Sequence, residues 1–233
     1  MIRAAAVAVP AHDEASVIVP CLRAVTASLA SCRLAPERQH LVVVADACND
    51  ATAAIARGMG AHVVEIAHRS VGVARSEGMR YALGITGVRS AEEIWLATTD
   101  ADSLVPLQWL PEQLRYADAG WDAVAGTVVV QDWSQRPPGL AEAFAQRYRA
   151  GRFEHPHIHG ANLGIRASAY LASGGFRGLA CSEDSTLVAA LRARGHSIRR
   201  PSDLSVLTSA RPDARVCGGF GDTLTCMVNE IGL

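Results

Sequence analysis

The chain has 233 residues, of which 49% are hydrophobic and 19% are charged, and its formal net charge at pH 7 is −1. This length and composition are sufficient for a buried core and argue against intrinsic disorder. The near-neutral charge provides no basic field for nucleic acid, so we expect partners to be recognised by a local site. All 22 basic residues in the Lys and Arg count are Arg, which excludes a Schiff-base lysine and leaves Arg side chains to bind phosphate.

The cysteines and the lengths of the apolar runs indicate a cellular environment. Six cysteines are scattered along the chain without a C-x-x-C pair, which indicates neither a zinc site nor a disulfide framework. No apolar run approaches the ~20 residues that span a bilayer, and the N-terminus lacks the order of a signal peptide. We therefore expect a reduced, cytoplasmic protein with no membrane span.

The first half of the chain alternates apolar segments of strand length with helical segments. Strands that are apolar throughout are typical of a parallel sheet covered on both faces. The pattern therefore predicts an α/β fold with a Rossmann-like, mostly parallel central sheet flanked by helices. The predicted strands are residues 4–9, 41–45, 61–66 and 94–97, and the predicted helices cover about residues 13–32, 52–57 and 72–83.

The rhythm changes in the second half. We expect a helix over residues 106–119, a long strand over residues 121–130 and helices over residues 140–150 and 182–194, with loops thereafter. A short extended segment lies at residues 155–165. The second half is where we expect an acceptor site.

Asp100 and Asp102 follow the buried segment at residues 94–97, where a strand opens into a loop. Asp is rarely buried unless it is paired or bound to metal, and open α/β sheets bind ligands at the carboxyl ends of their strands. Two carboxylates at such a position suit Mg²⁺ or Mn²⁺. The alternative is a solvated turn, because Asp and Ser are common turn residues.

Seven short motifs, spread over about residues 4–221, occur in an order that resembles the family 2 glycosyltransferases of the GT-A fold. The resemblance implies a single domain over residues 1–233, with a nucleotide-sugar-binding half at residues 1–103 and a smaller mixed, acceptor-binding half at residues 104–233. It implies transfer of a sugar from a nucleotide-diphosphate sugar, with a UDP-sugar favoured, to an acceptor hydroxyl. The motifs are residues 9–14 (Val-Pro-Ala-His-Asp-Glu), 44–50 (Val-Ala-Asp-Ala-Cys-Asn-Asp), 72–75 (Gly-Val-Ala-Arg), 100–102 (Asp-Ala-Asp), 160–162 (Gly-Ala-Asn), 174–176 (Gly-Gly-Phe) and 182–184 (Ser-Glu-Asp).

The resemblance implies a set of donor-binding residues. The loop after the first strand holds the nucleoside, and Asp46 accepts a hydrogen bond from a uracil N–H; a strand-ending Pro and a helix cap are the structural alternatives. Asp100 lies near the ribose and metal-bound water, while Asp102 binds the metal directly, and no His follows His196 to add the late metal ligand of many relatives. The full set is Pro10, Ala11, His12, Glu14, Asp46, Arg75, Asp100, Ala101, Asp102, Arg211 and Arg215.

The resemblance also implies the catalytic pair, with Asp184 as general base and Glu183 supporting it. An Asp base fits an in-line attack that inverts the anomeric centre. Acidic residues at a helix start, with Ser182 as cap, are the structural alternative. A retaining GT-A transferase and a catalytically silent nucleotide-sugar-binding module remain open.

Three histidines alternate along residues 155–159, so their imidazoles point the same way and offer a candidate Zn²⁺ site, although Pro156 distorts the segment. The segment directly precedes the Gly-Ala-Asn motif, which in the family borders the acceptor pocket, so we favour acceptor recognition or packing for His155 and His157. The expected acceptor is a small molecule or glycan, and a homodimer is left open. The expected acceptor-binding residues are His159, Gly160, Ala161 and Asn162.

Overall fold

The computed structural model of the chain describes residues 1–130, 132–148, 155–212 and 220–231. Within these residues the elements follow in the order β1 (Ala4–Ala11), α1 (Ile18–Ala30), β2 (Gln39–Asp46), α2 (Thr52–Gly58), β3 (His62–Ile66), α3 (Val71–Ile85), β4 (Ile94–Thr98), α4 (Trp109–Asp118), β5 (Ala123–Ala125), β6 (Thr127–Val130), α5 (Leu140–Arg147), β7 (Leu163–Arg166), α6 (Ala167–Ala172), α7 (Glu183–Ala193), β8 (Ile198–Arg199), β9 (Ser205–Thr208) and α8 (Phe220–Ile231).

The main sheet has seven strands in the order β3-β2-β1-β4-β7-β5-β8. β1 to β4 form parallel pairs, β7 is antiparallel to β4 and β5, and β8 is parallel to β5. β6 and β9 form a separate parallel pair. This arrangement confirms the predicted α/β fold with a mostly parallel sheet. The carboxyl ends of β1, β2 and β4 meet at one edge, where open α/β sheets bind ligands.

Helices cover both faces of the main sheet. α1, α2 and α4 pack on one face, and α3, α6 and α7 pack on the other. α3 comes unusually close, because a Cβ on Gly78 would lie 2.9 Å from the Cβ of Ala8 and 3.0 Å from Val44. This close packing fixes α3 against the strands and so fixes Arg75, one turn earlier on the helix, above their carboxyl ends.

The predicted long strand over residues 121–130 is wrong as a single element. The chain breaks at Gly126, so that β5 joins the main sheet and β6 joins the small one. Gly126 donates its N–H to the carbonyl of Asn162, and a Cβ at this position would collide with the Asn162 side chain and the Leu204 carbonyl. A close approach between distant segments, which an apolar run does not reveal, causes the break.

The loops expected after residue 194 are also corrected by the structure. This region contributes β8, β9 and the helix α8. The two strands are short and pair with segments about 75 residues earlier, so local periodicity carries little signal for them. α8 buries Leu224 and Met227 against Leu140 of α5 and makes a small third core.

Candidate active site

A cavity of about 480 Å³ opens at the carboxyl ends of β1, β2 and β4. It collects nearly all of the residues that the sequence assigned to donor binding, acceptor binding and catalysis, although they come from distant parts of the chain. Arg215 lies outside the described residues, and Asn162 does not line the cavity. The predicted residues that line it are Pro10, Ala11, His12, Glu14, Asp46, Arg75, Asp100, Ala101, Asp102, His159, Gly160, Ala161, Glu183, Asp184 and Arg211.

Asp100 and Asp102 lie just beyond β4, with side chains that are 34% and 16% exposed. Arg75 donates from Nη2 to Oδ1 of Asp100 at 2.5 Å. Burial raises the pKa of the Asp102 carboxyl to about 6; the nearby Arg211 opposes this rise, and Asp100 adds to it. The two acids therefore form an acidic site whose charge Arg75 and Arg211 balance in part.

Arg211 connects the late part of the chain to the loop after β1. Its guanidinium binds both carboxylate oxygens of Glu14, with Nη1 2.6 Å from Oε2, and its Nη2 lies 3.4 Å from Oδ2 of Asp102. Arg211, one of the expected donor-binding residues, is thus held between two acids at the cavity wall.

Asp46 is buried at the end of β2 and shapes the loop before α3. Its Oδ1 accepts hydrogen bonds from the backbone N–H groups of His68 and Arg69 at 2.7 and 2.8 Å, and its Oδ2 accepts one from Ser70 at 2.7 Å. The loop includes a positive φ of 48° at Arg69. Asp46 therefore has a clear structural role, and its contact with a nucleotide base stays a prediction.

Arg75 is buried between the two sides of the cavity. Its Nη1 donates to Glu183, the first residue of α7, while its Nη2 holds Asp100. Its guanidinium carbon also lies 6.0 Å from the centre of the Phe176 ring. The expected donor-binding role of Arg75 stays a prediction, because both of its terminal nitrogens already bind protein carboxylates.

Asp184 is half-buried and faces the cavity at the start of α7. Its Oδ2 accepts a hydrogen bond from the N–H of Gly160 at 2.7 Å, and its Oδ1 accepts one from Ser185 at 2.6 Å. Gly160 is also the residue that permits the guanidinium of Arg75 to lie beneath it, since a Cβ there would collide with that group. The Gly160 backbone therefore packs on Arg75 and orients Asp184.

The structural alternative, in which the Ser182 side chain caps α7, is wrong. Ser182 occupies the N-cap position of α7, but its side chain makes no capping hydrogen bond and its φ is 60°. The left-handed backbone turns the chain sharply into the helix and brings Glu183 inward.

Asn162 has a structural role that the sequence did not indicate. Its amide nitrogen donates to the carbonyls of Thr127 and Leu204 at 2.8 Å each, and its oxygen accepts from the indole N–H of Trp109 at 2.8 Å. The side chain is fully buried, so it positions β6 and the turn before β9 and has no free face toward an acceptor.

The histidines form a stack with an aromatic neighbour. The rings of His155 and His157 are 5.8 Å apart, those of His157 and His159 are 6.2 Å apart, and Tyr148 stacks on His157 at 4.0 Å. In the part of the chain that the structure describes, these three imidazoles do not gather their nitrogens into a metal-binding group. Packing beside the cavity is therefore the supported role.

His159 is the member of this stack that lines the cavity. Its Nε2 is 3.0 Å from the Tyr148 hydroxyl. Burial lowers the pKa of the His159 imidazole to about 4, and the nearby Asp184 opposes this shift. His159 is therefore a neutral ring at pH 7.

Several lining residues were missed by sequence reasoning. Most of them are polar, and one is the aromatic Phe220 of α8, a helix that the sequence did not predict. The missed residues include Arg69, Ser70, Ile158, Cys181, Thr208, Ser209 and Phe220.

Comparison with known proteins gives matches to a family model and to a relative. Residues 6–172 match the family model described as Glycosyl transferase family 2. A dolichyl-phosphate hexose transferase of Haloferax volcanii is 28% identical over 135 residues, which cover 54% of this chain and 52% of the relative. The matched region thus spans about half the length of that relative.

Solved structures share the fold. S. aureus TarS 1-349 in complex with UDP-GlcNAc has a TM-score of 0.67 at 14% identity, covering 91% of this chain and 60% of that one. The mannosyltransferase PcManGT from Pyrobaculum calidifontis in complex with GDP-Man and Mn²⁺ has a TM-score of 0.68 at 20% identity, covering 92% of this chain and 59% of that one. None of the helices in the described residues is both long enough and apolar enough to cross a bilayer.

Proposed function

The chain belongs to glycosyl transferase family 2, and we propose that it is a metal-dependent, inverting transferase that uses a nucleotide-diphosphate sugar. One observation carries the proposal. A single cavity is lined by the acids Asp100 and Asp102 after β4 and, across Arg75, by Asp184 at the start of α7. Such a cavity has one wall suited to a metal-bound diphosphate and another suited to an attacking hydroxyl.

The donor side fits a divalent ion. Asp100 and Asp102 offer only oxygen atoms, which are the donors that Mg²⁺ and Mn²⁺ prefer. Asp102 has a raised pKa and lies 3.4 Å from its nearest cationic partner, so an added positive charge would stabilise its carboxylate. When bound, the ion would supply positive charge to the departing diphosphate. The Mn²⁺ in the PcManGT complex supports this assignment.

The nucleotide we propose is UDP. Pro10 and Ala11 at the end of β1, with His12 just beyond it, line the cavity next to the loop that Asp46 holds. Backbone groups in such loops can bind a flat base at close range. The UDP-GlcNAc complex of TarS supports UDP, and the GDP-Man complex of PcManGT makes GDP the second candidate.

Asp184 is the proposed base. One of its oxygens is oriented by the N–H of Gly160, and its partial exposure leaves it open to the cavity. It would take the proton of the acceptor hydroxyl as that oxygen bonds to the anomeric carbon and the nucleoside diphosphate leaves from the opposite side. The stereochemical result of this displacement is inversion.

The proposed acceptor is the hydroxyl of a small molecule or glycan that approaches along His159, Gly160 and Ala161. A polyprenyl phosphate is a second candidate acceptor, which the Haloferax relative favours. The five cysteines in the described part of the chain are free, which supports the proposed cytoplasmic location. We also propose residues 1–103 as the donor half and residues 104–233 as the acceptor half of one domain.

The experiment is a screen of nucleotide sugars by thermal shift, with and without Mn²⁺, followed by transfer assays with glycan and polyprenyl phosphate acceptors. We expect one UDP-sugar to raise the unfolding temperature only with the ion, and NMR of the product to show the inverted anomer. A retained anomer would support a retaining transferase. Binding without transfer or donor hydrolysis would support a silent binding module.

A further inference from the structure

Two loops leave the sheet side by side at the nucleotide wall of the cavity, which His12 helps to line. β1 and β2 pair in register up to Ala11 and Ala45, so His12 and Asp13 emerge beside Cys48. In the described residues, these three are a group whose ligand atoms all lie within 4.8 Å of one another. Each of the three side chains is half-buried, so the cluster is open to small ions from solvent.

The orientation of His12 leaves one ring nitrogen facing the cluster. Its Nδ1 is 2.6 Å from the carbonyl oxygen of Asp46. A carbonyl only accepts, so Nδ1 carries the proton and the neutral ring has its lone pair on Nε2. A ligating His in metal sites commonly donates its other N–H to a backbone carbonyl in this way. Nε2 lies 3.8 Å from Oδ2 of Asp13.

The other two side chains are held by backbone groups. Oδ1 of Asp13 accepts the N–H of Asn49 at 2.6 Å, which leaves Oδ2 toward His12. The sulfur of Cys48 accepts the N–H of Asp13 at 3.4 Å and donates to the carbonyl of Ala11 at 3.4 Å. Asp13 also has a positive φ of 51°. The protein therefore fixes an imidazole, a carboxylate and a thiol in one place.

We propose that His12, Asp13 and Cys48 form a Zn²⁺ site that is separate from the acids after β4. Zn²⁺ is held by nitrogen, oxygen and sulfur at ~2.0–2.3 Å, which places tetrahedral ligand atoms roughly 3.3–3.8 Å apart. The nitrogen and carboxylate oxygen are 3.8 Å apart, about 0.4 Å more than nitrogen and oxygen ligands of a tetrahedral Zn²⁺ need, and all three ligand atoms lie within 4.8 Å, so shifts of about 1 Å bring them to binding distance. Water completes the fourth position.

The donor set selects the ion. A thiolate with an imidazole suits Zn²⁺, whereas carboxylates alone suit Mg²⁺ and Mn²⁺. The thiol proton leaves to solvent as the sulfur binds the ion. Since the ligands come from two loops that the unfolded chain separates by 36 positions, the bound ion ties these loops together and stabilises the native state.

The test is titration of the reduced protein with Co²⁺, as a spectroscopic substitute for Zn²⁺, in excess Mg²⁺ to fill sites made of oxygen alone. We expect a thiolate-to-cobalt charge-transfer band that Zn²⁺ abolishes. Cys48→Ser should remove the band, and Asp13→Asn and His12→Gln should each weaken Zn²⁺ binding by at least about tenfold. Cys226→Ser changes an exposed cysteine of α8 and is the matched control, which should keep the band.

A second measurement needs no variant. We expect Zn²⁺ to slow alkylation of Cys48 in the wild-type chain, measured by peptide mass spectrometry, while Cys226 is labelled at the same rate. The site is refuted if no cobalt–thiolate band forms, if Cys48→Ser keeps the band, or if Zn²⁺ leaves the labelling of Cys48 unchanged. All of these readouts are independent of glycosyl transfer, so they do not depend on the proposed donor or acceptor.

Discussion

Arg75 and Glu183 form an ion pair in which the side chains are only 5% and 4% exposed, and the pair ties α3 to the first turn of α7. The same guanidinium holds Asp100 on the donor side. The donor wall and the base wall of the cavity therefore share one buried cation, and removing it disturbs both.

Arg75→Met should leave Glu183 buried without its charged partner. We expect the free energy of unfolding in urea at pH 7 to fall by about 3–5 kcal/mol. Arg80→Met is the matched control on the same helix, because Arg80 forms an exposed pair with Glu77 and its loss should change stability by less than about 1 kcal/mol. Adding Glu183→Gln to Arg75→Met should recover part of the loss. Equal effects of the two Arg variants would contradict a buried network.

The pKa of His159, lowered to about 4 by burial, predicts acid sensitivity. An unfolded His has a pKa near ~6.5, so between these values the unfolded state binds a proton that the native state does not. The contribution of His159 to stability is therefore fully present above about pH 6.5 and is lost as the pH drops toward 4, by up to ~1.4 kcal/mol per pH unit.

Unfolding curves between pH 7 and 4 check this. His159→Asn should flatten the pH dependence, while His68→Asn, at an exposed side chain, should leave it unchanged. If His159→Asn keeps the wild-type slope, another group is responsible for the acid sensitivity.

Asp102→Asn tests the metal assignment. A neutral amide removes the charge that a divalent ion would bind, so we expect Mn²⁺-dependent UDP binding to weaken by at least about tenfold, or ~1.4 kcal/mol. Asp203→Asn, at an exposed Asp away from the cavity lining, is the control. Calorimetry in Mn²⁺ and in EDTA measures both. Equal binding of UDP by the wild type in EDTA would exclude the metal dependence.

Asp46→Ala separates the structural role of this acid from recognition of the base. Three backbone N–H groups lose their acceptor, so we expect a loss of about 1–3 kcal/mol in stability and a disordered loop before α3. Under conditions where the variant is folded, affinity for uridine nucleotides should fall more than affinity for Mn²⁺. If UDP binds as well as to the wild type, Asp46 is structural only and GDP becomes the next donor to test.

The fold of the first half could be predicted because its strands are uninterrupted apolar runs. Residues 4–9 and 94–97 were predicted as strands, and the structure has strands at Ala4–Ala11 and Ile94–Thr98. Periodicity failed where contacts between distant segments determine the structure. Gly126 interrupts the apolar run at residues 121–130 because the Asn162 side chain lies against it. It also failed for α8, whose apolar face packs on distant segments of the chain, among them α5, Val130 of β6 and Ala210.

The candidate site shows the same limit. The motifs indicated which residues to expect in the site, but the side chains that bind these residues are distant in the sequence. Nothing near Arg75 in the sequence indicates a bond to Glu183, which is 108 positions away, or that Glu14 would be held by Arg211, which is 197 positions away. The Arg75–Glu183 pair follows from the topology that stacks α3 and α7 on one face of the sheet.

Asp184→Asn separates binding from chemistry. If Asp184 takes the acceptor proton only as the new bond forms, its contribution belongs to the transition state. The amide keeps an oxygen for the N–H of Gly160, so the start of α7 should stay folded. We expect kcat to fall by about 10²–10⁴-fold with donor affinity nearly unchanged. Asp203→Asn again serves as the control, with normal turnover.

Once an acceptor has been identified, three outcomes of this experiment lead to three different conclusions about Asp184. Near-normal turnover of Asp184→Asn would remove the base from the proposed displacement and favour a retaining route. Loss of UDP binding in calorimetry would instead assign Asp184 to the donor wall, together with Glu183 and Arg75. If the lower kcat of Asp184→Asn rises again at high pH, the acceptor hydroxyl can lose its proton without Asp184. This result would support Asp184 as the base, because the wild type should reach full turnover without the rise in pH.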